Sequence, residues 1–134
     1  MKKALIVFIA LFITSCSKQP VVELPITTSS PKALEYYKKA MLSEDVGDDF
    51  EKRQYLDSAL ALDPKFVMAL DRYESLDPIK KREQRKMAKS LQNTVTDAEQ
   101  LILNIRNAYR SGNMDDALAN AKKLVTNYSD AYET

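Results

Sequence analysis

The side chains that could do chemistry in this 134-residue sequence are few. One strong nucleophile occurs, the thiol of Cys16, and there is no His anywhere. Without imidazole there is no His-based general acid or base, no Cys/His nucleophile pair and no ordinary zinc site. A single Cys also forbids an internal disulfide. The neighbouring carboxylates Asp48/Asp49 and Asp115/Asp116 fall where helices are expected to begin. There they satisfy free N–H groups and favour the helix dipole, so they need no catalytic role. No enzyme activity, cofactor or metal site is therefore expected. What remains is binding chemistry: scattered Arg and Tyr, and a basic run from Lys80 to Lys89.

Such groups act only if helices hold them in place. The composition, 45% hydrophobic and 29% charged, is that of an ordinary globular chain. Two glycines and five prolines are too few for a turn-rich sheet protein, so an all-α fold is expected. The net charge is +1, and it becomes −1 when Lys2 and Lys3 are set aside. A chain this near neutrality carries no demand for nucleic acid as a partner.

The start of the chain is organised differently. Met1-Lys2-Lys3 is a short basic head, and Ala4 to Ile13 is an unbroken apolar stretch. This is the layout of a secretory leader, and it is shorter than the ~20 apolar residues a membrane-spanning helix needs. It ends in Ile13-Thr14-Ser15-Cys16. That tetrad resembles the lipobox of bacterial lipoproteins, in which the residue after the cut is always Cys. The resemblance implies a signal peptide over residues 1–15 and acylation of Cys16 with palmitate-like chains. Two or more such chains hold a protein to a membrane in effect permanently, since each buried methylene contributes about 0.8 kcal/mol. Ser17, where Asp would favour retention at the inner membrane, implies the periplasmic face of the outer membrane.

From residue 17 to residue 30 the chain reads SKQPVVELPITTSS, without helical period. A flexible tether is expected over residues 16–30, spanning at most about 50 Å. Ser30-Pro31 then opens the first helix. Ala33, Leu34, Tyr37, Ala40 and Met41 mark its apolar stripe, and Gly47 ends it. Asp48-x-x-Glu51 has the form of a capping box before a second helix, which runs to Asp63-Pro64. Phe66 to Leu76 predicts a third. Asp77-Pro78 restarts the chain into a polar fourth helix reaching about Gln92. Thr96-x-x-Glu99 caps a fifth, Gly112 ends it, and Ala117 to Val125 marks a sixth.

An offset of 65 residues places Gly47 on Gly112, Asp48 on Asn113, Ala33 on Ala98 and Leu60 on Val125. It aligns two helices and the turn between them without a gap. Sixty-five is close to twice the repeat length of about 34 that belongs to the tetratricopeptide repeat. ALEYYKKA followed by VGDDFEKRQYLDSALALDPKF resembles one such unit, and AEQLILNIRNAYRSGNMDDALANAKKLVTNYSD resembles another. Lys52 departs from the small residue usual at its place, Ser129 replaces the closing Pro, and the middle unit lacks the Gly turn. The resemblance implies about three helix-turn-helix pairs (31–64, 65–97 and 98–130) within a domain over residues 31–134. They would stack as a short right-handed solenoid whose first helices line a concave face.

On that face the resemblance puts Lys38, Met41, Arg72, Arg106 and Tyr109 as candidate partner-binding residues, flanked by Tyr37, Asp71 and Ile102. Arg and Tyr are the stronger candidates because they are enriched at binding hot spots. The function implied is a lipid-anchored cell-envelope adaptor that holds a protein or peptide partner. Asp71 and Leu103 do not match the Lys/Asn pattern by which some members clamp a peptide's C-terminal carboxylate.

Two features stand apart. The run Lys80 to Lys89 holds six basic residues and one acidic residue, with only Ile79, Met87, Ala88 and Leu91 able to pack. It reads as a solvated helix face in preference to a surface for anionic lipid. The sequence stops at Thr134 without a polar capping helix, which leaves Leu118, Ala121 and Val125 at an uncovered edge. Self-association there, or a truncated remnant of a longer repeat lipoprotein, is the alternative expectation. Because the clamp pattern is missing, amidating the C-terminus of a bound peptide is expected to leave its affinity unchanged by calorimetric titration.

Overall fold

In a computed structural model the described residues, 24–129, form six α-helices and no strand. The leader, Cys16 and the first part of the tether lie outside the described residues. The helices are α1 (Pro31–Asp45), α2 (Asp49–Leu62), α3 (Val67–Arg72), α4 (Pro78–Leu91), α5 (Asp97–Arg110) and α6 (Met114–Asn127). A 3-10 turn, Gln92–Thr94, joins α4 to α5. No helix among these residues is long and apolar enough to cross a membrane. The chain packs in successive pairs: α1 along α2, α3 along α4 and α5 along α6.

The two glycines explain why the first and last pairs are alike. Gly47 and Gly112 both adopt the left-handed conformation, with φ of +79° and +77°. Gly47 N–H donates to Glu44 O and Asp48 N–H to Ser43 O. Gly112 N–H donates to Tyr109 O and Asn113 N–H to Ala108 O. Both helices thus end in the same Schellman motif, which satisfies carbonyls left open by the last turn. The next residue caps the following helix each time: Asp48 Oδ1 accepts from Glu51 N–H and Asn113 Oδ1 from Asp116 N–H. The turn predicted at an offset of 65 residues is one structure used twice.

Other details differ from expectation. Asp48-x-x-Glu51 makes only half of a capping box, because Glu51 turns its carboxylate to Ser43 Oγ and Tyr55 Oη. The third helix stops at Arg72, well before Leu76. Pro78 forces Asp77 into extended backbone, and Tyr73 has already left the helical region (φ −58°, ψ 126°) to bury its ring. Leu76 is therefore not part of a buried stripe but is 90% exposed.

Within its six residues α3 is almost wholly buried. Val67, Met68, Ala69 and Leu70 pack with Phe66 and Tyr73 among side chains of the flanking pairs, including Tyr37, Ala40, Leu56, Ala59 and Leu103. The Phe66 and Tyr37 rings meet at 5.1 Å between centroids. A helix this short is unstable alone, so burial on several sides is what forms it. At the far end, Leu118 and Val125 of α6 remain exposed and Ala121 is half-buried.

The end of the expected tether is held against the domain. Ile26 packs on the core. Thr27 N–H and Oγ1 donate to the two oxygens of Glu99 at 2.8 and 2.6 Å. Thr28 Oγ1 and Ser29 N–H both donate to Asp63 Oδ2. Glu99 is also the reciprocal member of the Thr96 capping box and only 1% exposed. One short segment thus ties the end of α2 to the start of α5. The reason is chemical: two buried carboxylates need donors, and the Thr-Thr-Ser stretch supplies hydroxyls and amides in succession.

Burial alone would raise the Asp63 carboxyl, but donors from Thr28, Ser29 and Lys65 outweigh it and hold it below the usual carboxylate range. Glu99→Ala is expected to cost about 2–3 kcal/mol in urea unfolding and Thr27→Val about 1 kcal/mol. In the double variant the two losses should fall short of adding, since both remove the bond from Thr27 Oγ1 to Glu99.

Candidate binding face

The residues proposed on sequence grounds come from α1, α3 and α5, and Arg106 among them is paired with Asp71. This carboxylate is 3% exposed. Arg106 Nε donates to its Oδ2 at 2.5 Å, and Arg110 donates to Oδ1 and Oδ2 at 2.6 and 3.0 Å. Arg110 also reaches the Asp71 carbonyl oxygen at 3.1 Å. The two arginines are one turn apart on α5, so both can reach the same acceptor. Burial would raise the Asp71 carboxyl, but the Arg110 and Arg106 bonds and charges outweigh it and keep it low.

A second group lies alongside. Arg72 donates to Glu44 at 2.6 Å, and Lys52 Nζ stands 3.2 Å from the other Glu44 oxygen. Lys52, out of place by the repeat pattern, is buried with this carboxylate as its partner. Burial would raise Glu44, and the Arg72 and Lys52 charges reverse it. Burial, with the nearby Arg72 charge, pulls the Arg106 guanidinium down, so the two cations feel one another. Tyr37 lies within the field of both arginines and both carboxylates, and burial raises its phenol.

No family model, curated protein or solved structure matches this chain.

Of the five proposed residues, Arg72 and Arg106 are brought together. Tyr109 lies next to Arg110 on α5 and is 67% exposed. Met41 is half-buried and packs on the core, so its role is largely structural. Lys38 is exposed on α1. Sequence reasoning missed Arg110, Glu44 and Lys52. The i, i+4 spacing of Arg106 and Arg110 was a usable signal for the first. For the other two the signal was lacking, since nothing local pairs residues on different helices.

Four cations, Lys52, Arg72, Arg106 and Arg110, face two carboxylates in this cluster. The three guanidinium groups keep part of their surface in water, and Arg72 Nε is buried without an acceptor among the described residues. Such a surface can hold anionic or hydrogen-bond-accepting groups. Among the described residues no group of three Cys, Asp or Glu side chains could hold a metal ion.

Removing Asp71 leaves two inward-turned guanidinium groups unpaired, so Asp71→Ala should cost about 3–5 kcal/mol. The pH dependence has a definite sign. The folded Asp71, Asp63 and Glu44 carboxyls all lie below their ordinary values. Their contribution is therefore complete above the unfolded values of about 4 and is lost as pH falls through the lower folded ones. Urea midpoints should decline in acid for the parent chain, and less steeply for Asp71→Ala.

Proposed function

We propose that this chain is a lipid-anchored cell-envelope adaptor, acylated at Cys16 and holding a protein partner on the face formed by α1, α3 and α5. The observation that carries the reading is the convergence of Arg106 and Arg110 on Asp71, with Arg72 the next residue in the chain: three partly exposed guanidinium groups, with Tyr109 exposed on the same helix as two of them. Arginine and tyrosine at the same surface supply planar donors and a large amphipathic ring, the groups that dominate binding hot spots. The lipobox resemblance of Ile13-Thr14-Ser15-Cys16 supplies the anchor, and Ser17 the outer-membrane destination.

The stacking of the three pairs as a tetratricopeptide-like solenoid belongs to the same proposal. It is supported by the repeated Schellman turns at Gly47 and Gly112, and by a buried first helix in the middle pair. Exposed Leu118 and Val125 on α6 add a second apolar surface where another copy or a partner could seat.

The docked segment near Thr27 bears on how an anchor would work. From Cys16 to Thr27 is eleven residues, at most about 40 Å when fully extended. The domain would thus be held nearer the membrane than a tether running to Ser30 allows.

In-cell cross-linking followed by mass spectrometry tests the reading. One envelope protein should be captured by the parent chain and lost with Cys16→Ala. Tyr109→Ala, at a side chain that stands mostly in solvent, should reduce capture roughly tenfold while the chain stays folded. Equal capture by all three chains would refute the adaptor.

A further inference from the structure

The basic run on α4 is divided by the fold into two groups. Ala88 is buried, and Lys81 and Arg85 turn inward to the Glu74 carboxylate. Lys80 lies over the Tyr73 ring, 5.2 Å from its centre. The opposite face carries Ile79, Arg82, Glu83 and Lys86, at helical spacings of three and four, with Lys89 at its shoulder, so that three cations stand against one carboxylate there. None of these three cations has a carboxylate partner among the described residues. Ile79, which the sequence suggests as a packing residue, is 63% exposed, and Leu76 just ahead of it is more exposed still. From residue 74 to residue 91 there are six basic side chains against Glu74, Asp77 and Glu83, in a chain otherwise close to neutral.

We propose that this outer face of α4 is a docking surface for an anionic lipid bilayer. Arg82, Lys86 and Lys89 meet the head groups, and Ile79 and Leu76 enter the layer just beneath them. The pairing of charge with exposed apolar groups selects this occupant. An acidic protein would satisfy the cations but leave Leu76 and Ile79 in water. A bilayer offers negative charge and apolar depth on one flat surface, which suits a single outward helix face. Each basic residue near an anionic surface raises partition roughly fivefold, and the attraction extends over only about a Debye length. Three such residues give a moderate, salt-sensitive contact that orients the domain on the surface. The inference stands on the α4 face alone and does not require acylation of Cys16.

The chain contains no Trp, so a single introduced one reports its own surroundings. The experiment uses the full chain carrying Ile79→Trp, with Leu76→Trp as a second reporter in case the first perturbs folding. Each is mixed with vesicles of phosphatidylglycerol and phosphatidylcholine, or of phosphatidylcholine alone. With the anionic vesicles the emission should shift to the blue and be quenched by brominated lipid, and high salt should reverse both. Neutral vesicles should leave the emission as in water. Replacing Arg82, Lys86 and Lys89 together by Ser should raise the lipid needed by roughly a hundredfold. Water-like emission from both reporters in anionic vesicles would overturn the proposal. So would an equal shift in neutral vesicles, an unchanged response in the triple variant, or a shift with poly-glutamate and none with lipid.

Discussion

Asp71 imposes the constraint on which the arrangement of helices turns. A carboxylate this deeply buried cannot stay charged unless donors reach it, and no donor on its own six-residue helix can do so. Arg106 and Arg110 of α5 reach it instead, which fixes α5 against α3 in rotation and in register. The chain continues from Asp71 to Arg72, which turns to Glu44 of α1. Two consecutive residues on the central helix thus bind the helices on either side through opposite charges. Apolar packing around Phe66 and Leu70 contributes the area, but it is not directional. The charged pairs select one alignment among those that packing would tolerate.

The same logic appears at the N-terminal edge. Glu99 closes a capping box with Thr96 and in the same position accepts from Thr27. Asp63 ends α2 and accepts from Thr28 and Ser29. Each carboxylate serves a local purpose at a helix end and a long-range one at the docked segment. Directional bonds to charged acceptors are among the stronger hydrogen bonds available to a protein. They can hold a segment that has no regular secondary structure and in which Ile26 packs on the core.

The six helices consequently divide their surfaces by task. The first helices of the last two pairs carry Arg72, Arg106 and Arg110, which two buried or half-buried carboxylates hold while part of each guanidinium stays in water. The fourth helix buries little beyond Ala88 and uses Glu74 to hold its inward lysine and arginine. Its remaining cations stay outside because each long side chain keeps its charge in water while its stem covers neighbouring surface.

Helix number and most helix ends were legible from the sequence. Gly47, Gly112, Pro31, Pro78 and the Thr96/Glu99 box act within a few residues of themselves, through backbone geometry that needs no partner elsewhere. The offset of 65 residues was legible for the same reason, since a repeated turn has a repeated local cause. The length of α3, the exposure of Leu76 and Ile79, and the docking of Thr27 to Ser29 were not. The docking depends on Glu99 and Asp63, brought from distant parts of the chain, and the early end of α3 on a buried place for the Tyr73 ring; Leu76 and Ile79 are exposed because the packing of the helices leaves them outside it. The candidate face shows the same division. Arg72 and Arg106 could be nominated by type and helical phase, but Asp71, Glu44 and Lys52 became their partners only through packing. The sequence by itself determined where helices start and stop and which faces are apolar, because those follow from short-range sterics and periodicity. Only the tertiary structure decided which charges meet, because a buried ion pair is settled by distance in space and leaves no spacing in the chain.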